Sequence, residues 1–362
     1  MPASPDQAAV LEALRVVIDP DLGKDIVSLG FVKQLAIDAS GAVRFAIELT
    51  TPACPVKDRL KAQAEQAVGA VAGVTSVDIE MTAAVRTAAL PEGARQPVAG
   101  VKNVIAVGAG KGGVGKTTVA VNLAVALAQM GSRVGIIDGD IYGPNVPMMM
   151  GLHTELVADD QGRIIPAERY GVRVVSMGFL TQEDSAVIWR GPMLHGAIQQ
   201  FFRQVVWDNL DYLIVDLPPG TGDVALSLSQ SVPVSGAIVV TTPQQVSLAD
   251  TRRAVRMYQK LNIRPLGLIE NMSHFECPNC GHESDIFGRG AGEGLAHTLE
   301  IPFLGRLPIY EPIRIGGDGG HPIVLAEPDS AAARAFRSVA EQAAAQISIA
   351  SYSRVIPLTP VR

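Results

Sequence analysis

The pattern of hydrophobic and polar positions changes near residue 100 of the chain. Before that point, segments with helical spacing alternate with strand-like runs, and the turn-forming residues 38–41 join two of these runs into a predicted β-hairpin. The predicted elements are helices at 7–19 and 56–71 and strands at 31–37, 43–49 and 74–81. They predict a small α+β domain over residues 1–85, followed by a linker at 86–100 that is rich in Pro, Gly and Ala and has no periodicity.

From residue 101 onward, nearly continuous apolar runs alternate with helical segments. Such strands are typical of a sheet covered on both faces, so the pattern predicts an α/β fold with a mostly parallel sheet. The predicted strands are 103–109, 133–140, 172–178, 212–218, 235–242, 265–272 and 303–308, and the predicted helices are 116–130, 192–209, 247–261, 290–299 and 329–346. This second domain is expected to span residues 101–350, and residues 351–362 are expected to form a frayed tail.

Composition narrows the classes of protein that fit this pattern. The 362 residues are 48% hydrophobic and 18% charged, which permits a large core, and the net charge of −6 argues against binding to nucleic acid or to a membrane surface. No apolar stretch has the length of a membrane span, and the first residues lack the pattern of a secretory signal. Three cysteines make a poor disulfide framework, so we expect a reducing, cytoplasmic location.

The strongest motif follows the first strand of the second domain. The sequence GKGGVGKT at 110–117 matches G-x-x-x-x-G-K-[ST] between an apolar strand and an apolar helix, the context of a phosphate-binding P-loop. Its glycines let backbone N–H groups surround phosphate oxygens, Lys116 is expected to reach the β- and γ-phosphates, and the Thr117 hydroxyl is expected to hold Mg²⁺. The alternative is a glycine-rich turn without a ligand. The residues expected to bind ATP here are Gly110, Lys111, Gly112, Gly113, Val114, Gly115, Lys116, Thr117 and Thr118.

Acidic residues follow two of the predicted strands, at the edge where parallel α/β sheets bind their ligands. Asp216 ends the run YLIVD, and its carboxylate is expected to bind Mg²⁺ directly or through water. Gly220 and Gly222 then give a loop able to respond to a γ-phosphate. Asp138 and Asp140 follow the run RVGII. Any one aspartate could instead be a turn residue, but both segments in this order after a P-loop favour a nucleotide site.

A third strand is followed by Asn271, whose amide has both a donor and an acceptor. Such a group is able to recognise the edge of an adenine, and we assign Asn271 that role. The alternative is an asparagine in a strand-end turn. The chain has no N-K-x-D motif, which disfavours a GTPase.

Cys277 and Cys280 follow soon after, with the C-x-x-C spacing that lets two thiolates reach one metal. A tetrahedral site needs about four ligands, and the third cysteine, Cys54, lies far upstream. Two copies of the chain would supply four thiolates, which suits either Zn²⁺ or a [4Fe–4S] cluster. The alternatives are a structural zinc completed by His282 or Cys54, and a redox pair, although redox pairs normally open a helix.

The P-loop resembles the deviant Walker A motif of the MinD/ParA/ArsA class of ATPases, because Lys111 precedes its double glycine. In that class the early lysine reaches the partner's phosphates in a nucleotide-bridged dimer, so the resemblance implies a homodimer and this role for Lys111. It also implies that Asp140 orients the attacking water and that Asp138 serves the Mg²⁺ shell or the loop geometry. Lys111, Lys116 and Asp140 are therefore the expected catalytic residues.

The second domain further resembles the Mrp/NBP35 (ApbC-like) iron–sulfur carrier ATPases over nearly all of residues 101–325. The shared stretches include GKGGVGKTTVAVNLA, IIDGDIYGPNVPMMMG, WRGPMLHGAIQQFF, YLIVDLPPGTGDV and ENMSHFECPNCGHESDIFGRGAGE. In this family the C-x-x-C pair binds a labile [4Fe–4S] cluster shared between subunits. The resemblance implies that role for Cys277 and Cys280.

Residues 6–84 resemble the MIP18-like domain, on the stretches VIDPDLGKDIVSLGFV and ELTTPACPVKDRL. Cys54 in this region precedes a predicted helix, whose N-terminal amides favour a thiolate. Three interpretations of Cys54 stay open: a reactive thiol, a small buried cysteine, or a residue that passes the cluster to or from the C-x-x-C pair.

Together these patterns predict a two-domain cytoplasmic ATPase that binds an iron–sulfur cluster and transfers it to apo-proteins, with ATP and Mg²⁺ as its other ligands. We expect no nucleic-acid or membrane partner. One alternative is a MinD/ParA-like positioning switch, whose membrane-bound form is disfavoured by the short, proline-broken tail. The other alternative is a zinc-bridged dimer without cluster transfer.

Overall fold

The computed structural model describes residues 5–87, 96–140, 143–179, 191–220, 223–277 and 279–352. The chain divides into two compact units, the first formed by residues 1–86 and 348–362 and the second by residues 87–347. The helices and strands of the first unit are Gln7–Leu14 (α1), Ile18–Asp19 (β1), Lys24–Asp25 (β2), Val32–Ile37 (β3), Ala42–Leu49 (β4), Lys57–Gly69 (α2) and Ser76–Ala83 (β5).

The first unit is built on the three-stranded sheet β3-β4-β5. Strands β3 and β4 pair antiparallel, which confirms the predicted hairpin, and β5 pairs parallel to β4 after the chain passes through α2. Phe45 of β4 lies in a core that Leu14 of α1 and Leu60 of α2 help to complete. Tyr352 belongs to the same unit and contacts Phe31 edge to face, with 6.2 Å between the ring centroids.

The second unit has an eight-stranded sheet at its centre. Its helices and strands are Val101–Ala109 (β6), Lys116–Gln129 (α3), Val134–Asp138 (β7), Val146–Met150 (α4), Val157–Ala158 (β8), Ile164–Ile165 (β9), Ala167–Arg169 (β10), Val172–Ser176 (β11), Gly191–Arg203 (α5), Leu210–Asp216 (β12), Asp223–Ser231 (α6), Gly236–Thr241 (β13), Gln245–Lys260 (α7), Pro265–Glu270 (β14), Phe275–Glu276 (β15), Glu283–Ser284 (β16), Ala291–Thr298 (α8), Phe303–Arg306 (β17), Glu311–Asp318 (α9), Ile323–Ala326 (α10) and Ala331–Tyr352 (α11), whose last residues belong to the first unit. The strand order is β10-β11-β7-β12-β6-β13-β14-β17. Neighbouring strands are parallel except β10, which pairs antiparallel at one edge, so the predicted mostly parallel α/β sheet is confirmed.

The register of this sheet positions the candidate site. Strands β7, β12 and β13 are buried along their whole length, as their apolar sequences predict. Asp216 at the end of β12 pairs in register with Asp138 at the end of β7. Strand β6, which leads into the P-loop, lies on the other side of β12. The loop and both carboxylates therefore meet at one edge of the sheet.

Two predicted helices end earlier than expected. The helix predicted at 7–19 ends at Leu14, and its last predicted residues, Ile18 and Asp19, form strand β1 paired with β2 instead. The helix predicted at 192–209 ends at α5's Arg203. Just beyond it, Asp208 and Asn209 have positive φ angles of 47° and 65°, which a right-handed helix cannot contain.

Other elements were not predicted, chiefly short ones: the helices α4, α6, α9 and α10, the edge strand β10, and the two-residue strand pairs β1–β2, β8–β9 and β15–β16. Helix α11 extends to Tyr352, so the first two residues of the predicted tail are helical. The rest of that tail and residues 88–95 of the predicted linker lie outside the described residues, and the domain boundaries stay a prediction. No helix in the described ranges is long and apolar enough to cross a membrane.

The contact between β6 and α7 gives a test of this packing. A Cβ added at Gly108 of β6 would lie 2.0 Å from the hydroxyl of the buried Tyr258 and 3.1 Å from its Cζ. Gly108→Ala is therefore expected to destabilise the protein by about 1–3 kcal/mol through overpacking. Adding Tyr258→Phe removes the nearest atom and should restore most of that loss.

The measurement is the urea midpoint of both single variants and the double variant, which isolates the pairwise energy. A double variant as unstable as Gly108→Ala alone would show that the hydroxyl is not the limiting contact.

Candidate functional site

The P-loop between β6 and α3 has a backbone conformation that suits anion binding. Gly113 and Gly115 have φ angles of 79° and 80°, which glycine adopts without strain. Gly115 directly precedes the 14-residue helix α3. The N–H groups of a helix N-terminus carry a partial positive charge, so a phosphate at this position would be stabilised.

Gly110, at the start of the loop, is required by packing. A Cβ at this position would lie 2.3 Å from the carbonyl carbon of Asp250 and 2.5 Å from the backbone nitrogen of Thr251, both on α7. Neither backbone atom is able to move aside without displacing the helix. Helix α7 therefore fixes the first part of the loop.

A cavity of about 720 Å³ opens in front of the loop, and all of its lining residues belong to the second unit. Its polar part includes residues 111–118, Asp140 and Asn271. Its apolar part includes Met149 and Phe287. A cavity with a phosphate-binding end and an apolar wall suits a nucleotide, which carries charge at one end and a flat base at the other.

Lys116, Thr117 and Asp216 form a connected group at the base of the cavity. The Lys116 Nζ lies 2.5 Å from Oδ1 of Asp216, and the Thr117 hydroxyl donates to Oδ2 of Asp216 at 2.7 Å. Lys116 is buried, with 6% of its surface exposed. Burial raises the pKa of Asp216, and the adjacent Lys116 charge opposes that rise.

Asp138 is the second buried carboxylate of the site. It accepts hydrogen bonds from the backbone N–H of Asp140 at 3.2 Å, from that of Val146 at 3.1 Å and from the hydroxyl of Ser176 at 3.0 Å. Burial first, and then the negative charge of Asp216, raise the pKa of Asp138 to about 7. Two buried carboxylates and a hydroxyl beside one lysine are an arrangement of oxygen ligands that fits Mg²⁺.

Asp140 and Lys111 both lie at the cavity, as their predicted roles require. Asp140 is at the end of β7, and its charge also acts on Asp216. Lys111 is exposed. Gly220 has a φ angle of 100°, whereas Gly222 lies outside the described residues. The catalytic roles of these residues stay predictions, since they depend on a bound nucleotide and a partner subunit.

Asn271 contacts the P-loop itself. Its side-chain Nδ2 donates to the Val114 carbonyl at 2.8 Å, and a Cβ at Gly115 would lie 2.3 Å from the same nitrogen. The side chain is buried and also lines the cavity. Its recognition of adenine stays a prediction, but the structure adds a second task, because Asn271 holds the backbone of the P-loop.

Cys277 and Cys280 lie on a tight hairpin that β15 and β16 close. The backbone N–H of Cys277 donates to the His282 carbonyl at 3.0 Å, and that of Gly281 donates to the Cys277 carbonyl at 2.8 Å. Hydrogen bonds from the backbone N–H groups of Asn279 and Cys280 lower the pKa of the Cys277 thiol. Such bonds favour the thiolate, which is the metal-binding form of cysteine.

The hairpin presents two thiols. Within the described ranges, no group of three or more His, Cys, Asp and Glu side chains is arranged to hold a metal. His282 is therefore not placed with Cys277 and Cys280 as a third zinc ligand. The alternative that adds Cys54, which belongs to the first unit, stays a hypothesis. Cys54 is half-buried against the core of the first unit.

Two buried residues near the site escaped the sequence prediction. Ser176, which donates to Asp138, ends strand β11 beside β7. The rule that found the aspartates, a polar residue at the carboxyl end of an apolar strand, would also have found it. Glu270 ends β14 and is completely buried. In the sequence, its position directly before Asn271 was the signal from which it could have been predicted.

Comparison with known proteins agrees with this geometry. The family described as NUBPL iron-transfer P-loop NTPase matches residues 100–344. This chain belongs to that family. A second family, described as iron-sulfur cluster assembly protein, matches residues 7–80, so the resemblances of both parts of the sequence are confirmed.

Relatives of this chain align with nearly its whole length. It is 50% identical over 349 residues to the iron-sulfur cluster carrier protein of Synechocystis, covering 95% of this chain and 98% of that protein. It is 47% identical over 354 residues to the iron-sulfur cluster carrier protein of Deinococcus radiodurans, covering 98% and 99%. It is 44% identical to the chloroplastic Fe-S cluster assembly factor HCF101 of Arabidopsis thaliana, covering 93% of this chain and 63% of that protein.

Solved structures resemble the NTPase part. A nucleotide-binding protein from Archaeoglobus fulgidus, in complex with ADP, is 37% identical with a TM-score of 0.56, covering 64% of this chain and 90% of that one. The cell division ATPase MinD of Pyrococcus furiosus is 27% identical with a TM-score of 0.52, covering 66% and 97%.

The raised pKa of Asp138 gives a pH-dependent prediction. A pKa of about 7 means that, at pH 7, roughly half of the ligand-free molecules carry a proton on Asp138. A bound Mg²⁺ favours the carboxylate, so Mg²⁺–nucleotide should release this proton and should bind more weakly as the pH falls below 7. Calorimetry in buffers with different ionisation enthalpies counts the released protons.

Asp138→Asn should abolish this part of the release, and nucleotide without Mg²⁺ is the matched control. An equal release with and without Mg²⁺, or in the variant, would contradict the assignment.

Proposed function

We propose that this protein is an ATP-hydrolysing carrier that holds a [4Fe–4S] cluster between two copies of the chain and passes it to apo-proteins. The observation that carries the proposal is the hairpin of Cys277 and Cys280, which presents two thiols beside a nucleotide cavity and lacks further ligands among the described residues. The relatives named iron-sulfur cluster carrier protein support the same cargo.

Each residue at the base of the cavity has one task in nucleotide binding or hydrolysis. The P-loop amides and Lys116 bind the phosphates of ATP. Thr117, Asp216 and Asp138 hold Mg²⁺, which would neutralise charge on the phosphates. Asp140 orients the attacking water, and its position at the cavity supports that role.

Lys111 is assigned to the partner's phosphates. It is exposed at the rim of the cavity rather than buried with Lys116, which suits a side chain that reaches outward. A lysine supplied in this way would join nucleotide hydrolysis to the formation of a homodimer. Two cavities facing each other would then also bring the two cysteine hairpins towards a common axis.

The cluster is cargo rather than a resident cofactor. Each iron of a [4Fe–4S] cluster takes one protein ligand, so two thiolates leave two irons without one, and a second chain would supply the other two thiolates. The thiols are accessible, Cys280 being exposed and Cys277 half-buried. An apo-protein could therefore replace these ligands one thiolate at a time. Free thiols and a labile cluster suit a reducing compartment such as the cytoplasm.

Alanine substitutions of the two P-loop lysines are expected to have different effects. Lys116→Ala should lower ATP hydrolysis at least about 100-fold, because it removes charge stabilisation at the phosphates. It should also lower the melting temperature, since Asp216 would stay buried without its cation. Lys111→Ala should keep most of the nucleotide binding and the melting temperature, yet lose nucleotide-dependent dimerisation and hydrolysis.

Turnover, melting temperature and light scattering, measured on both variants, separate these outcomes. Normal hydrolysis by Lys111→Ala would contradict a role in trans.

The cysteines give the test of the cargo. Cys277→Ser or Cys280→Ser should remove the cluster and the dimer that depends on it, since metal affinity and association reinforce each other. Nucleotide binding should persist, because the P-loop is a separate segment. Cys54→Ser is the matched control and should keep most of the iron. The measurements are iron and sulfide per chain after anaerobic reconstitution, and mass by light scattering.

A full cluster in Cys277→Ser would refute the four-thiolate bridge. Complete loss of iron in Cys54→Ser would mean that the first unit supplies a ligand. Zinc bound without any uptake of iron would favour a zinc-bridged dimer.

A further inference from the structure

Two adjacent residues at the end of β14 contact two different parts of the second unit. Asn271 donates to the P-loop carbonyl of Val114 at 2.8 Å. Glu270 is completely buried and accepts hydrogen bonds from the backbone N–H groups of Gly290 at 2.8 Å and Gly292 at 2.6 Å, at the start of α8. Successive side chains of a strand point in opposite directions, so one residue reaches the P-loop while its neighbour reaches α8.

The stretch between these contacts, residues 272–289, contains Cys277 and Cys280 and is called here the cysteine segment. It begins directly after Asn271 and ends directly before Gly290. Both of its ends are therefore fixed at the same strand end, one through the residue bound to the P-loop and the other through Glu270.

The cysteine segment also shares backbone contacts with a wall of the nucleotide cavity. The N–H of Ser273 donates to the Leu307 carbonyl at 3.0 Å, and the N–H of Ile309 donates to the His274 carbonyl at 2.6 Å. Ile309 lines the cavity, and so does Phe287 of the segment itself. A nucleotide that orders this wall of the cavity would therefore also restrict the cysteine segment bonded to it.

The junction between the P-loop contact and the cysteine segment is conformationally strained. Met272 has a φ angle of 56°, a left-handed value that side chains other than glycine rarely adopt. Met272 also lines the cavity. The surrounding contacts hold this residue in an unfavourable conformation, so its backbone is a place where a small displacement would change the course of the segment.

We propose that Glu270 and Asn271 are positioning residues that couple nucleotide binding at the P-loop to the reactivity of Cys277 and Cys280. There is little free space for the loop to move independently, because a Cβ at Gly115 would lie 2.3 Å from the Asn271 amide nitrogen. A nucleotide that orders the P-loop therefore fixes Asn271. Glu270, the residue before Asn271, transmits this restriction of the strand end to the far end of the cysteine segment.

The inference rests on the proposed function for the identity of the cargo, but its test needs only nucleotide and thiols. The full-length protein without metal is treated with iodoacetamide, with and without a non-hydrolysable ATP analogue and Mg²⁺. Mass spectrometry follows the peptide that contains Cys277 and Cys280, and the Cys54 peptide is the internal reference. Nucleotide should slow alkylation of the pair by about fivefold or more, the lower range of couplings between sites.

Glu270→Gln is the decisive variant. Glu270 does not line the cavity, so nucleotide affinity should be unchanged, yet the effect of nucleotide on alkylation should fall below about twofold. Glu293→Gln is the matched control. Glu293 is ion-paired to Arg306, whose Nε lies 3.7 Å from Glu270. The control substitution therefore neutralises a carboxylate in the same cluster, but it leaves the hydrogen bonds of Gly290 and Gly292 to Glu270 intact. It should keep the wild-type effect.

A wild-type protein without a nucleotide effect, or a Glu270→Gln protein that keeps it in full, would overturn the inference. If circular dichroism shows that Glu270→Gln is unfolded, the alkylation experiment is done on Asn271→Ser instead, at a nucleotide concentration that saturates that variant. Loss of the effect then supports the coupling and its persistence refutes it. A protein that shows this alkylation pattern but never takes up iron would refute the carrier function and leave the coupling standing.

Discussion

The buried ion pair of Lys116 and Asp216 is the interaction on which the site depends. Their side chains are 7% and 0% exposed, and removing one partner from such a pair typically costs about 3–5 kcal/mol. A phosphate that draws Lys116 away must therefore be accompanied by another cation for Asp216. Because Thr117 already donates to the same carboxylate, Mg²⁺ at that position would replace both contacts. If nucleotide and Mg²⁺ bind as proposed, this constraint would link their binding through the movement of one side chain, that of Lys116.

The elements that carry this site were predictable because each has a strong local signal. Long apolar strands gave the parallel sheet, and the P-loop and the aspartates follow from the rule that ligands bind at the carboxyl ends of its strands. The burial of Lys116 was not predictable from the motif, since it depends on the register that places Asp216 and Asp138 side by side. Burial first, and then the charge of Asp216 that the same register brings close, raise the pKa of Asp138.

The missed elements depend on contacts that are distant in sequence. Helices α4 and α9 are short and contain glycine or proline, so their stability comes from packing rather than from helix propensity. A Cβ at Gly320, just after α9, would lie 2.4 Å from the Cα of Gly151, just after α4. Sequence spacing cannot reveal such a contact. In the same way, the C-x-x-C spacing predicted Cys277 and Cys280 as metal ligands but did not reveal the backbone contacts that hold their hairpin.

The backbone hydrogen bonds at the start of the cysteine segment limit how far this segment and the nucleotide cavity are able to move independently. Leu307 and Ile309 form backbone hydrogen bonds with the beginning of the cysteine segment, and Pro308 and Ile309 line the cavity. Buried backbone groups must stay hydrogen-bonded, so any movement of this strip has to be matched by the segment, or the bonds are lost at a cost of about 1–3 kcal/mol each. Thiols placed on an independent surface loop would escape that cost. Here, a movement of the thiols that shifts Ser273 or His274 would also shift the cavity wall, and the proposed coupling of nucleotide to cysteine reactivity depends on that shared backbone.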